Sequence, residues 1–334
     1  MKRYKFNVFI LSILLTLYSL LLSPPASAQQ LSLSMTPPLL EVVMKPGKSI
    51  LIAYSVFNLA DPAVLRSRVS SFEPLNTRGD IRIKENLEGP IRFTLDNADL
   101  QMGDSFFAKT RDKKQLLLRI RAPEGAPEGD YYYTFLVEAQ APPGAEGVSS
   151  SQTQGRIGSN ILITLTNSGR VDINGKISSF DVLSGFPMNF FGKKIRIFDS
   201  ADKIPVRLEA ANEGRNLIKP NGDITLTGNF GEKSTYSILP QNILAGSRRF
   251  LTATPSAELF RPLPEPVSLV LSGFFLGNYK LSTKMSFGEG SPNVFGETSF
   301  FALPIKFLMG LLIVIVLGLY LVRRFGQPEK PEKT

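Results

Sequence analysis

The side chains in this sequence that could do chemistry are carboxylates, hydroxyls and aromatic rings. Histidine and cysteine are both absent, which removes the Ser-His and Cys-His nucleophile pairs and the usual zinc and copper sites. Paired carboxylates are the remaining route to catalysis, and no sequence pattern brings two of the scattered acids into one cleft. We therefore expect no enzyme, no metal and no cofactor. A carboxylate-based cell-wall hydrolase stays open as the alternative.

Three adjacent tyrosines in "EGDYYYTFLVEA" (128–139) could hold a sugar or a partner protein. A second segment, "LGNYKLSTKMSFG" (276–288), alternates cleanly from Tyr279 and predicts a strand with Tyr279, Leu281, Thr283, Met285 and Phe287 facing the core. On the same frame Tyr131 and Tyr133 face inward, with the Tyr131 hydroxyl tied to the backbone. Tyr132 and Leu136 face outward, either covered by another element or forming a binding patch. They are the candidate binding residues.

Three further motifs each have a plainer interpretation. Arg78-Gly79-Asp80 could be an adhesive tip, but it is also a common turn before a strand such as "DIRIK" (80–84). The acids in "DNADLQMGD" (96–104) lack the spacing of a calcium loop. Tyr236 and Arg248-Arg249 could meet an anionic polymer, although strand-edge and surface roles are the simpler interpretation.

The two ends of the chain predict its topology. Residues 1–28 have a basic start, an apolar run and a small-residue cleavage site after Ala28, as in a secretory signal peptide. Residues 301–322 are apolar except for Lys306 and are long enough to span a bilayer. The basic tail, residues 323–334, is then expected in the cytoplasm. This predicts a single-pass protein of the cell membrane, with its N-terminal part extracellular or periplasmic.

The formal charge of +9 does not indicate nucleic-acid binding. Residues 1–28, residues 301–334 and everything between them contribute +3 each. The exported part is thus close to neutral, and the basic excess belongs to targeting and topology. We expect the membrane as one partner and no nucleic acid.

Short runs rich in Val, Ile, Thr, Tyr and Phe, separated by Gly, Pro, Asn and Asp, indicate β-strands throughout the exported part. The runs are "LLEVVM" (39–44), "SILIAYSVFN" (49–58), "QLLLRIRA" (115–122), "YYYTFLVEA" (131–139), "NILITLTN" (160–167), "KIRIF" (194–198), "IPVRLEAAN" (204–212), "DITLTGNF" (223–230), "PVSLVLSGFF" (266–275) and "YKLSTKMSF" (279–287). The predicted fold is all-β. Two Ig-like β-sandwich domains, residues 29–169 and 170–290, precede a polar stalk at 291–300 and the transmembrane helix. Residues 141–160 should form the tip of a long hairpin.

The order of these parts resembles the WxL-interacting surface proteins of Gram-positive bacteria. The matching stretches are "PPLLEVVMKPGKSILIAYSVFN" (37–58), "RAPEGAPEGDYYYTFLVEA" (121–139), "KIPVRLEAANEGRNLIKPNGDITLTG" (203–228) and the end from Phe301. The resemblance implies a surface binding or adaptor protein that contacts peptidoglycan through its first domain and a surface partner protein through its second. An accessory role in an envelope or secretion complex is a further alternative.

Overall fold

The computed structural model describes residues 31–140, 155–190, 193–259, 261 and 263–325. The predicted signal peptide, the tip of the 141–160 loop and residues 326–334 of the tail lie outside the described residues. Within the described residues the regular secondary structure is strand apart from one helix, which follows the last strand. The predicted all-β class is confirmed.

Domain 1, residues 31–165, is a sandwich of two sheets around one apolar core. Its strands are β1 (Leu33–Thr36), β2 (Leu39–Met44), β3 (Ser49–Asn58), β4 (Ala63–Pro74), β5 (Ile81–Ile83), β6 (Arg92–Leu95), β7 (Ser105–Ala108), β8 (Lys113–Arg121), β9 (Gly129–Gln140) and β10 (Arg156–Leu165). One sheet has the order β1-β3-β8-β6, and the other β2-β10-β9-β4-β5 with β7 paired to β4. Tyr54, Leu116 and Phe135 are buried between them. This is an Ig-like architecture.

Domain 2, residues 175–303, repeats the plan with a core of its own. Its strands are β11 (Gly175–Val182), β12 (Phe186–Phe190), β13 (Lys193–Asp199), β14 (Ile204–Asn212), β15 (Asn221–Thr227), β16 (Lys233–Ile238), β17 (Arg248–Phe250), β18 (Ala253–Thr254), β19 (Leu269–Leu271), β20 (Gly277–Ser286) and β21 (Val294–Leu303). The sheet orders are β11-β14-β17, with β19 on β14, and β12-β13-β21-β20-β15-β16-β18. Leu208, Ile224 and Phe300 are buried between the sheets.

The register predicted from the two-residue period is confirmed in β20. Tyr279, Leu281, Thr283 and Met285 are all buried, whereas Lys280 and Lys284 are exposed. A period of two places alternate side chains on opposite faces, so one clean alternation fixes the orientation of the whole strand.

In β9 the same frame places Tyr133 in the core and Tyr131 at its margin. Tyr133 is buried, and its ring meets that of Phe93 edge-on at 4.8 Å between centroids. Tyr131 is half-buried against the core, and its hydroxyl donates a hydrogen bond to the carbonyl oxygen of Pro127 at 2.9 Å. The predicted tie from the strand-opening tyrosine to the backbone is therefore confirmed.

The predicted stalk at 291–300 is wrong, and domain 2 does not end at residue 290. Those residues belong mostly to β21, which pairs antiparallel with β20 and parallel with β13. The Ser, Thr, Glu and Gly content of residues 291–300 suggests a linker. However, Gly296 lets the strand pack closely, since an added Cβ would lie 3.1 Å from Thr283 Cγ2.

One helix, α1 (Ile305–Phe325), leaves domain 2 directly after β21, with Pro304 between them. None of its side chains is buried, and it is long and apolar enough to cross a membrane. The predicted start at Phe301 is four residues early, because 301–303 pair with β13. The backbone N–H of Lys306 donates to the Asp199 carboxylate at 2.8 Å, which satisfies one of the free N–H groups of the first helical turn.

Candidate binding groove between the two domains

The outward face of β9 meets domain 2 at Tyr132. The Tyr132 hydroxyl donates to Asp130 Oδ2 at 2.9 Å and accepts from the backbone N–H of Ala245 at 2.9 Å. Its ring stacks on Phe72 at 5.8 Å between centroids. Burial raises the pKa of Tyr132 well above its ordinary value, and the neighbouring Asp130 charge raises it further. The side chain is a fixed, neutral hydrogen-bonding group.

Asp130 is the polar centre of the junction between the domains. Besides Tyr132, its carboxylate accepts hydrogen bonds from Thr164 Oγ1 at 2.7 Å, from Asn216 Nδ2 at 2.8 Å and from the backbone N–H of Leu217. Thr164 belongs to domain 1, and the other two donors belong to domain 2. A carboxylate that accepts several hydrogen bonds from both domains fixes their relative orientation.

An apolar cluster surrounds this polar centre. Its fully buried members are Phe72 and Leu162 from domain 1 and Leu244 from domain 2. Half-buried apolar residues from both domains pack around them, namely Ile81, Ile83, Tyr132 and Leu217. The two domains therefore share a small core as well as hydrogen bonds.

A second polar contact lies at β2. Glu41 accepts hydrogen bonds from Lys219 Nζ at 3.0 Å and from the Asn242 amide. Partial burial alone would raise the pKa of Glu41, but the bonds from Asn242 and Lys219 outweigh it and hold that pKa below its ordinary value. Glu41 is thus ionised at neutral pH and ties β2 to domain 2.

Between these two contacts the domains leave a groove of about 400 Å³. Its lining combines apolar side chains, amides and charges of both signs, contributed by Leu39, Glu41, Phe72, Pro74, Asn76, Gly79, Asp80, Ile81, Asn160, Leu162, Lys219, Pro240, Gln241, Asn242, Leu244, Ser247, Arg248 and Arg249. Such a mixed lining suits a peptide segment or a polar polymer.

Arg249 is the most constrained charge in the groove. Its Nη1 donates to the carbonyl oxygen of Asn242 at 2.8 Å. Its guanidinium lies against Gly79, where an added Cβ would come within 2.4 Å of Arg249 Cζ. Burial lowers the pKa of Arg249, and the charge of Asp80 opposes that effect. The predicted turn at 78–80 is thus part of the groove wall, and the Thr77 carbonyl accepts the backbone N–H of Phe250 at 2.8 Å.

Strand β2 forms one rim of the groove and is an edge strand. Pro38 and Met44 accept backbone bonds from Asn160 and Thr166, so the even-numbered residues of β2 face β10. The odd-numbered residues Leu39, Glu41 and Val43 then direct their N–H and C=O groups to the open edge. Within the described residues no strand pairs with that edge. Leu39 is 43% exposed and Val43 57% exposed.

The structure separates the two predicted binding residues. Tyr132 lies at the domain junction, covered by Phe72 of the neighbouring strand β4 and by Ala245 of domain 2. Leu136, four residues further along the same face of β9, is buried. It lies against Gly158, where an added Cβ would come within 2.9 Å of Leu136 Cδ2. A binding role for either side chain stays a prediction. The contacts that Tyr132 makes in this structure are all to residues of its own chain.

Sequence reasoning singled out Arg248 and Arg249 of the groove, but not Glu41, Phe72 or Asn242. The available signal was the apolar run "LLEVVM" (39–44), which contains Glu41. In the described part of the chain no group of three Asp, Glu, His or Cys side chains could hold a metal ion. Asp96 and Asp99 of the acidic loop instead pair with Arg119 and Lys114.

Similarity to known proteins is found among solved structures. No family model matches the chain, and no curated protein matches it. Among solved structures it is similar to the class 5 fimbriae chaperone CfaA, with a TM-score of 0.38 and 11% identity over 81% of this chain and 100% of that one. It is also similar to the E. coli chaperone DraB, with a TM-score of 0.35 and 15% identity over 80% of this chain and 98% of that one. A third similar structure is that of the Salmonella enterica SafA pilin with the SafB chaperone, with a TM-score of 0.34 and 12% identity over 81% of this chain and 99% of that one.

Proposed function

We propose that this protein is a membrane-anchored binding or adaptor protein of the cell surface, which holds a surface partner protein at the groove between its two Ig-like domains. The helix α1 anchors the chain, domain 2 stands directly on it, and the junction around Asp130 keeps domain 1 in a fixed position. The basic residues Arg323 and Arg324 at the end of the helix favour a cytoplasmic tail and exported domains.

The open edge of β2 carries this proposal. A six-residue edge strand without lysine or proline offers a row of unpaired backbone groups to an added strand. Exposed side chains at Leu39 and Val43 give that strand apolar contacts, and the adjoining groove can receive its side chains. Arg248 at the rim is exposed and free to meet an acidic group of the partner.

Cell-wall polymer is the other ligand class that the resemblance to WxL-interacting proteins suggests. The groove's amides and charges suit a polar polymer too, but a glycan chain cannot extend the sheet at β2 as an added strand does. The two ligand classes therefore differ in whether the strand edge takes part.

Site-specific photo-cross-linking on intact cells distinguishes them. A photoreactive residue at Val43 is compared with one at Leu51, which is 48% exposed on β3 in the other sheet of domain 1 and does not line the groove. We expect discrete protein adducts at position 43 and far fewer at 51. Adducts that disappear after muramidase digestion would show that the ligand is cell-wall polymer and not a partner protein. Equal yields at both positions would contradict a binding role for the β2 edge.

A further inference from the structure

The end of domain 2 from which α1 leaves is built from the β13–β14 loop, the β15–β16 turn, the loop before β20 and the last residues of β21. The β15–β16 turn lies there, because Thr227 at the end of β15 pairs with Lys280 near the start of β20. Gly277 and Asn278, which begin β20, pair in turn with Ala302 and Phe301 at the end of β21. The loop before β20 lies there too, since the Phe275 N–H donates to Ser200 O at 2.9 Å and the Ser200 N–H donates to Leu303 O at 2.8 Å. Whatever surrounds the start of α1 also faces these loops.

Three large apolar side chains project into solvent from this end. Phe230 is 83% exposed at the tip of the β15–β16 turn, and Phe274 is 70% exposed in the loop before β20. Leu276 is also exposed. Turn tips are normally polar, and isolated exposed apolar residues need no explanation. Three together at the end of the domain beside an apolar helix form a surface that calls for a partner.

The exposed side chains are held outward by their neighbours. Between Phe274 and Leu276, Phe275 turns inward and packs edge-on against Tyr279 and Phe300 at 5.2 and 5.6 Å between centroids. Glu232 holds the turn at Phe230, accepting the Phe230 N–H at 3.0 Å and the Tyr279 hydroxyl at 3.0 Å. These contacts hold the backbone at Phe230 and beside Phe274 in place.

We propose that this end of domain 2 is a membrane-contact surface, with Phe230, Phe274 and Leu276 inserted into the interfacial region of the lipid bilayer that α1 enters. Phe and Leu side chains on a membrane-facing surface bury themselves at the boundary between headgroups and acyl chains. Lys306, in the first turn of α1, keeps its charged end near the domain through Asp202 and Asp199, at the level of the headgroups. The lipid is the occupant because the helix fixes the bilayer at this end.

This inference rests on the anchoring helix of the proposed function and not on the groove. It adds that domain 2 is oriented by three contacts besides its helix, which would set the direction in which the groove faces. A helix joined to the domain by the single residue Pro304 leaves little freedom for any other arrangement.

The absence of cysteine makes the test clean. Phe230→Cys, Phe274→Cys and Phe295→Cys of the full chain are labelled with the environment-sensitive fluorophore NBD and reconstituted into liposomes with and without nitroxide-labelled lipids. Phe295 is the matched control: it is 67% exposed in the same domain. Eight residues along β21 separate it from Leu303, or ~26 Å at about 3.3 Å per residue.

We expect blue-shifted emission and severalfold stronger quenching by nitroxide lipids at positions 230 and 274 than at 295. Quenching at 230 and 274 no stronger than at 295 would overturn the proposal. A blue shift without lipid quenching would also overturn it, because a second protein copy would then cover the surface. Flotation of the same liposomes reports anchoring by α1 separately, so failure of the anchor and failure of the contact surface are distinguished.

Discussion

Replacing Tyr132 by Phe should loosen the junction between the domains without disturbing either core. The change removes one hydroxyl, which leaves the Ala245 N–H without its acceptor and Asp130 without one of its four donors. A buried donor left unsatisfied costs about 1–3 kcal/mol. If that cost falls on the junction, local opening becomes ~5- to ~150-fold more frequent.

Hydrogen exchange measured by mass spectrometry on the full chain in nanodiscs reads this opening directly at the Ala245 amide. The expected result is faster exchange of the peptide that contains Ala245 by that factor, with unchanged exchange in the core strand β14. Tyr131→Phe is the matched control, since it loses one exposed bond to Pro127 on the other face of the same strand. Equal acceleration in both variants, or none in Tyr132→Phe, would refute the account of the junction.

Three further predictions concern domain 2 and its anchor. A chain truncated after Leu303 should be released as a folded, soluble protein. A chain truncated three residues earlier should not fold, because it lacks the residues through which β21 pairs with β13. Secretion assays and circular dichroism check both outcomes. Tyr279→Ala should cost about 3–5 kcal/mol as for a buried aromatic, and Lys280→Ala within about ±0.5 kcal/mol, measured by urea denaturation. The hydrogen bond from the Lys306 backbone N–H holds the pKa of Asp199 below its ordinary value. Ionised Asp199 therefore stabilises the start of α1 at pH values above the ordinary carboxyl pKa, and this stabilisation is lost as the pH falls through the lowered pKa. In Asp199→Asn, hydrogen exchange at the start of α1 should lose that pH dependence.

The sequence predicts strands well where one face alternates cleanly. Strand β3 has its predicted bounds of 49–58, and the inward set of β20 was identified residue by residue. Strand β4 was missed although it is twelve residues long, because its buried positions include Ser67, Ser70 and Ser71. Polar residues on a buried strand hide the period-two signal that a single sequence offers.

The junction and the groove could not be predicted in the same way. Tyr132 and the Ala245 N–H that it accepts are 113 positions apart, and Glu41 and Asn242 are 201 apart. Nothing in a local pattern pairs such residues. The outward placement of Tyr132 was accessible from the strand period, whereas the identity of what covers it depends on how two complete domains pack.

The central claim is that a partner protein pairs with the open edge of β2. Val43→Pro removes an N–H group that faces this edge and leaves the bonds to β10 in place, while Val43→Thr keeps the N–H and the strand propensity. With a photoreactive residue at Leu39 in both backgrounds, we expect the partner adduct to be lost in Val43→Pro and retained in Val43→Thr, at equal thermal stability. Equal adduct yields in the two variants would contradict strand pairing at β2.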